Sequence, residues 1–358
     1  MGEVFAGRYE LLDPVADGGM GAIWRALDRT TGQVLAAKVL RQSDAGSLLR
    51  FVREQSMRID HAHVVTPLSW AGLDDRVLLT MPLVRGGSVA DLLRGRGALS
   101  AYWTAVLIDQ LLAALEAVHG AGIIHRDVKP GNLLLDPFPT PGLDRPHLRL
   151  TDFGIAAPID QPRMTRAATA IGTPGYMPPE QWIGADPEPS ADLYAVGWVA
   201  LEMLTGQRPP AVQEPVTPAD DLSPLRTGET SRDRLIDVIE RAIAADPGAR
   251  PASATRMRAE LAATGVLDVP AGDADPLVVP DRFDGIELST LADVPSGPTM
   301  APGGTAIAGR APTMAFTPTP VPAPTPTAPQ GRRSATPGLI LVLLGLAGLA
   351  LAIWLLVG

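Results

Sequence analysis

Cysteine is missing from all 358 residues. Disulfides, thiolate zinc sites and cysteine nucleophiles are thereby excluded. A surplus of basic residues is missing too: 30 Lys and Arg face 39 Asp and Glu, a formal net charge of −9. Nucleic acid, whose phosphates reward a basic surface, is therefore not an expected partner. The first ten residues hold no apolar run, so no secretory signal peptide is read there. Gly2 follows Met1, but position 6 is Ala6, and the N-myristoylation pattern fails. No long internal repeat is found. A short one is present: Pro298-Thr299-Met300-Ala301 returns as Pro312-Thr313-Met314-Ala315.

Three compositions divide what is there. In residues 1–265, segments of Val, Leu and Ile alternate with amphipathic helical patterns, the mark of a folded domain. Hydrophobic residues, at 46 % of the chain, are enough for a large core. Val106, Leu107, Gln110, Leu111, Ala114, Leu115 and Val118 recur at helical spacing and predict a helix over 102–119. A second helix is expected over 235–245, ending at the breaker Asp246-Pro247-Gly248. Residues 266–337 begin acidic, with Asp268, Asp273, Asp275, Asp281 and Asp284, and carry eleven prolines from 295 to 337. This stretch is expected to be a disordered, semi-extended linker that builds no core. Residues 338–358 contain an uncharged apolar run of nineteen residues, 339–357. At ~1.5 Å per residue it covers roughly 28 Å, close to the ~30 Å bilayer core, and predicts one C-terminal transmembrane helix. Arg332 and Arg333 precede the run and no basic residue follows it, so the preceding residues are expected on the cytoplasmic face of the membrane. Gly348 and Ala352 form a small-x-x-x-small pair that suits close approach of two spans, and hence self-association.

The most informative residues are His125-Arg126-Asp127-Val128-Lys129-Pro130-Gly131-Asn132. Asp152-Phe153-Gly154 begins twenty residues beyond Asn132. Far upstream, Ala16-Asp17-Gly18-Gly19-Met20-Gly21-Ala22-Ile23 is a Gly-rich stretch whose amides are open to a phosphate, since glycine has no side chain to obstruct them. Lys38 lies seventeen residues past Gly21, in Ala36-Ala37-Lys38-Val39. In this order and spacing, the set resembles a Hanks-type (eukaryotic-like) serine/threonine protein kinase of the bacterial kind. The resemblance covers roughly residues 8–262.

That resemblance implies an α+β, bilobal protein-kinase fold, with a β-rich N-lobe over 1–82, a helical C-lobe over 83–265 and ATP between them. By the same resemblance, Asp127 accepts or orients the proton of the acceptor hydroxyl. Asn132 and Asp152 hold Mg²⁺, or Mn²⁺, through hard oxygen donors. Lys129 steadies the γ-phosphate and marks serine/threonine specificity. Lys38 contacts the α- and β-phosphates and pairs with Glu54. Ala16, Gly18, Gly19, Gly21 and Ile23 cover the phosphates, and Ala36, the gatekeeper Met81 and the hinge residue Leu83 line the adenine site. Residues 155–180 form the activation segment, with Thr165 and Thr169 as candidate autophosphorylation sites whose phosphates would pair with Arg126. Glu180 pairs with Arg250, and Asp192 braces the catalytic loop.

The pattern is departed from in places. Ala16 stands where the first glycine belongs, Pro82 follows the gatekeeper, Pro-Pro-Glu ends the activation segment, and Glu54 lies close to His61. The loop over 136–150 is long and has no evident function. Two readings therefore stand. One is an active ATP- and Mg²⁺-dependent kinase of protein substrates, held at the inner face of a bacterial plasma membrane. The alternative is a pseudokinase scaffold that binds ATP or partners without turnover; its mark would be loss of Lys38, Asp127, Asn132 or Asp152, and none is lost. Phosphorylated Thr299 and Thr313 would suit a phosphothreonine-reading domain. With no external domain expected after the span, activation by raised local concentration on the membrane is the anticipated mode.

Overall fold

The computed structural model describes residues 2–18, 21–41, 59–74, 76–152, 173–186, 188–210, 222–269 and 275–285. All of them belong to one unit, Met1–Pro295. Glu54, Gly19, Phe153, Gly154, Thr165, Thr169, Thr299, Thr313 and the apolar run 339–357 lie outside the described residues.

The first part of the chain is a sheet. Strands β1 (Val4–Phe5), β2 (Tyr9–Gly18), β3 (Gly21–Asp28), β4 (Gln33–Arg41), β5 (Ser69–Leu73) and β6 (Arg76–Met81) pair antiparallel in the order β1-β2-β3-β4-β6-β5. The β3–β4 turn is set by Asp28, whose carbonyl accepts the Gly32 amide at 2.7 Å while Gly32 takes φ +71°. One face of the sheet buries Phe5, Tyr9, Leu11, Ala26, Leu35, Ala37 and Leu78 as a small core of its own. Lys38 sits in mid-sheet, opposite Ile23 on one side and Leu79 on the other.

The rest is mainly helical: α1 (Val89–Arg96), α2 (Ala101–Gly120), α3 (Pro179–Trp182), α4 (Pro189–Thr205), α5 (Thr230–Ala242) and α6 (Ala254–Ala263). A two-stranded ribbon, β7 (Leu133–Leu135) with β8 (Leu148–Leu150), packs on α2. Helix α2 is the axis of this lobe. Among the described residues it alone is long and apolar enough to cross a membrane, but it is buried among the other helices, as an all-round apolar helix must be. It runs one residue past the 102–119 pattern at each end, with Ser100 as its N-cap. Helix α5 starts five residues before the pattern at 235, because Asp233 binds the Thr227 and Gly228 amides at 3.0 and 3.1 Å and organises its polar first turn. Gly197 of α4 faces α5: a Cβ there would stand 2.6 Å from the Ile243 methyl, so glycine is what lets these helices touch.

One expectation needs correction. The folded unit does not stop at residue 265, and 266–337 is not all linker. A short turn at Val266–Asp268 closes on the core, and residues 275–285 return to it, with Leu277, Val279 and Phe283 buried. The average composition of the stretch is acidic and proline-rich, but within it three apolar side chains dock an eleven-residue segment, together with polar bonds.

In the small lobe, Arg8 grips Asp28 through two bonds of 2.9 and 2.7 Å. That guanidinium, opposed by burial and helped by the Thr30 amide, holds the Asp28 carboxyl at about 2. A lowered carboxylate gives stability that is complete above its ordinary value near 3.8 and lost as pH falls through about 2. Acid unfolding followed by tryptophan fluorescence should therefore lose this component between those two values in Asp28→Asn. The variant should also be less stable at neutral pH; an unchanged acid transition would remove the assignment.

Candidate active site

The site is built outward from one buried carboxylate. Asp192, in the first turn of α4, is 1 % exposed. Its Oδ2 accepts the His125 amide at 2.9 Å and lies 2.8 Å from Nε2 of His119, at the end of α2. Its Oδ1 accepts the Arg126 amide at 2.8 Å. Arg126 has φ +69°, a left-handed conformation that a side chain adopts only when its surroundings enforce it. The two amide bonds to Asp192 supply that enforcement. His125 is fully buried, and burial pushes its imidazole down toward the neutral form. Its Nε2 faces the Thr151 carbonyl at 3.0 Å and so carries the proton, which leaves Nδ1 to accept the Asp127 amide at 3.3 Å.

Asp127 is therefore presented by a loop with little freedom. Its Oδ2 accepts Asn132 Nδ2 at 2.9 Å and lies 2.8 Å from Lys129 Nζ. Its Oδ1 accepts the Thr173 hydroxyl at 2.9 Å. Lys129 also donates to Thr173 Oγ1 at 2.8 Å, closing a ring of three side chains. Asn132 gives its second amide hydrogen to the Asp127 carbonyl at 2.8 Å. Both of its donors are then committed, and its carbonyl oxygen is the group left over.

Across the cleft, Lys38 Nζ meets Asp152 Oδ1 at 2.8 Å. Asp152, like Arg126, is a non-glycine residue at positive φ (+57°). A cation fit for phosphate and a carboxylate fit for a metal ion thus share one point. The Gly-rich hairpin stands above: Ala16 pairs with Ile23 and Gly18 with Gly21. Gly21 is required there, since it has φ +142° and a Cβ would fall 2.3 Å from the Val39 carbonyl oxygen. Ala36 is buried and pairs with Met81, the last residue of β6, which leads to Leu83 and the hinge.

The segment entering α3 is pinned to the large lobe. Arg250, with its side chain wholly buried, takes Glu180 in two bonds of 2.7 and 2.9 Å and also donates to the Ala244 carbonyl at 2.8 Å. The Tyr176 hydroxyl donates to the Glu202 carboxylate. Burial, then Glu202, pushes the Tyr176 phenol far above its ordinary value.

A buried carboxylate that fixes the loop, an Asp–Lys–Thr ring and a lysine–aspartate pair thus lie with a glycine hairpin in one unit. The protein kinase domain family matches residues 9–260. The chain belongs to that family. Among its relatives are the serine/threonine-protein kinase PknA of Mycobacterium tuberculosis, 34 % identical over 219 residues, covering 58 % of this chain and 49 % of PknA. The serine/threonine-protein kinase PkaA of Streptomyces coelicolor is 35 % identical over 266 residues, covering 69 % of this chain and 48 % of PkaA. The serine/threonine-protein kinase pkn3 of Myxococcus xanthus is 33 % identical over 281 residues, covering 74 % and 51 %. The chain thus spans about half the length of these curated relatives.

Sequence reading singled out Asp127, Lys129, Asn132, Lys38 and Asp152, and the structure gathers them in the cleft between the lobes. It also brings in two residues that reading did not assign a role. Thr173 was visible only as part of the string Gly172-Thr173-Pro174, and nothing local pointed His119 toward Asp192. A hydrogen bond to a charged partner is worth ~1.5–3 kcal/mol. Thr173→Ala should therefore lower kcat for phosphotransfer by about 10- to 100-fold, with Thr173→Ser close to wild type. Equal rates in wild type and Thr173→Ala would remove Thr173 from the catalytic ring.

Proposed function

We propose that this chain is an ATP-dependent serine/threonine protein kinase, which transfers the γ-phosphoryl group of ATP to hydroxyls of proteins, its own included. The carrying observation is the ring in which Asp127, Lys129 and Thr173 meet at 2.8–2.9 Å, with Asn132 locking Asp127 from the other side. The names of PknA, PkaA and pkn3, all serine/threonine-protein kinases, support the same activity and substrate class.

In the proposed reaction the acceptor oxygen bonds to the γ-phosphorus as the bond to the β-phosphate oxygen breaks, and ADP leaves. Asp127 orients the acceptor hydroxyl and takes its proton. Lys129, beside Asp127, offsets negative charge on the transferring group, and Lys38 holds the α- and β-phosphates from β4. The remaining carbonyl of Asn132 and the carboxylate of Asp152 are hard oxygen donors, a set that fits Mg²⁺ or Mn²⁺, which take few protein ligands alongside phosphate oxygens. When bound, such an ion neutralises phosphate charge.

The regulatory and membrane parts of the reading rest on sequence. Thr165 and Thr169 are the proposed autophosphorylation sites, and Thr299 and Thr313 would recruit a phosphothreonine-reading domain. Residues 339–357 would anchor the chain as a single span, with the kinase domain cytoplasmic and neighbours close enough to phosphorylate one another.

The test is incorporation of labelled phosphate by the full chain in detergent with Mg²⁺. Wild type should label itself, on Thr165 or Thr169, while Asp127→Asn and Lys38→Met should fall by at least about a hundredfold. Labelling that survives Asp127→Asn removes that residue as the base, and a wild type that binds ATP without labelling supports the scaffold reading. In fractionated cells the full chain should pellet with membranes and a chain ending at residue 337 should not. Equal solubility of the two removes the anchor.

A further inference from the structure

Residues 275–285 do more than cover the large lobe. They run from it, past the hinge, to the small lobe. At the start, the Arg96 guanidinium holds the Asp275 carboxylate and donates to the Pro276 carbonyl at 2.6 Å, while Trp103 Nε1 donates to the Asp275 carbonyl at 2.9 Å. Next, Val279 and Phe138 exchange both backbone bonds, at 2.9 and 2.7 Å, so the long loop over 136–150 acts as a one-rung edge for this segment. Then the hinge exit is gripped. The Arg282 amide donates to the Arg85 carbonyl at 2.9 Å, Arg85 pairs with Asp281 at 2.8 Å, and Arg282 pairs with Asp91 at 3.2 Å. Asp91 is the carboxylate of the capping box that starts α1.

The far end reaches the nucleotide side. Phe283 is 7 % exposed, and the Arg25 guanidinium lies 5.2 Å from its ring centroid. Arg25 is itself buried and held by Asp13, with Nε donating at 2.8 Å. Asp13 and Arg25 stand on β2 and β3, just outside the hairpin residues Ala16 and Ile23. The chain also makes room for the crossing. At Gly86 a Cβ would stand 2.5 Å from a Val279 methyl, and at Gly87 it would stand 2.7 Å from Arg282 Nε.

We infer that residues 275–285 are a strap of the catalytic unit that fixes the opening between the lobes, and that Phe283 is a positioning residue for nucleotide, acting through Arg25 and Asp13 on the roots of the Gly-rich hairpin. A desolvated cation on an aromatic face is strong enough to matter at this scale. The segment lies outside the family's matched region, residues 9–260.

The inference rests on the cleft binding nucleotide but not on turnover, and the test separates the two. In the full chain in detergent, the Kd of Mg-ADP is measured by calorimetry beside KM for ATP, kcat and Tm. Phe283→Ala should raise Kd and KM about fivefold, with a smaller change in kcat, and Phe283→Tyr should restore both. Arg282→Ala, at a half-exposed side chain, loosens the strap without emptying the core and should raise Kd in the same direction. Unchanged Kd in both Phe283→Ala and Arg282→Ala overturns the inference, whatever Tm does; if Phe283→Ala fails to fold, Arg282→Ala decides alone. A wild type that binds Mg-ADP but transfers no phosphate sinks the proposed kinase activity, while the Kd comparison still judges the strap.

Discussion

The buried carboxylate of Asp192 is the constraint on which the catalytic loop depends. It holds two consecutive backbone amides and a histidine in one place, at 2.8–2.9 Å. Removing one partner from a buried charge costs ~3–5 kcal/mol, because what remains is an uncompensated ion. The charge therefore cannot be dropped piecemeal, and neither can the conformation it enforces. Arg126 stays left-handed because its amide has nowhere better to go, and Asp127, next in the chain, inherits a fixed direction. Helices α2 and α4 are both committed to this point, through His119 and Asp192. The packing of the large lobe and the aim of the base are thus one problem with one solution.

The electrostatics of the cleft are local and do not follow the net charge of −9. The small lobe brings Lys38, on a mid-sheet strand whose cross-strand neighbours are apolar. The large lobe brings Asp127, Asp152 and Lys129. Each carboxylate is matched by a lysine at 2.8 Å, so the site is internally paired and pre-arranged. Preorganised charges of this kind cost little rearrangement when charge develops on a reacting group, which is why positioning supplies so much of phosphoryl-transfer catalysis. A strap that fixes lobe opening belongs to the same logic, since Lys38 and Asp152 lie on opposite lobes and their spacing depends on the hinge.

The residues that would touch substrate were legible in the sequence because the chemistry forces them into short strings. His125 to Asn132 spans one loop, and Asp127, Lys129 and Asn132 meet because the chain turns there. The helix α2 was legible for a similar reason: its apolar spacing is local. What escaped were two partners, His119 and Thr173; the long-range roles of Asp192 and of Glu180 with Arg250 came only through the resemblance. Asp192 and His119 are 73 positions apart, Thr173 and Asp127 are 46, and no spacing rule connects either pair. The strap escaped for another reason. Leu277, Val279 and Phe283 are diluted among acids and prolines, and averaging the whole of 266–337 hid an eleven-residue exception. The unexplained loop over 136–150 and the misjudged tail were two halves of one contact, Phe138 with Val279, and neither half reads as a strand alone.

Two of the departures from the family pattern, Ala16 and Pro82, fall where the backbone tolerates them. Ala16 is exposed and lies in extended register opposite Ile23, a conformation any L-residue adopts, so a methyl there obstructs nothing in the hairpin itself. Gly21, at φ +142° against the Val39 carbonyl, cannot be replaced, and it is kept. Pro82 follows Met81, the last residue of β6, so its missing amide interrupts no ladder bond of the sheet. Its carbonyl is untouched by the substitution and can still accept a hydrogen bond. The conformationally costly features of the described site are the buried Asp192, the left-handed Arg126 and Asp152, and Gly21 of the hairpin. All are present. Ala16 and Pro82, by contrast, sit where the described backbone carries no strain.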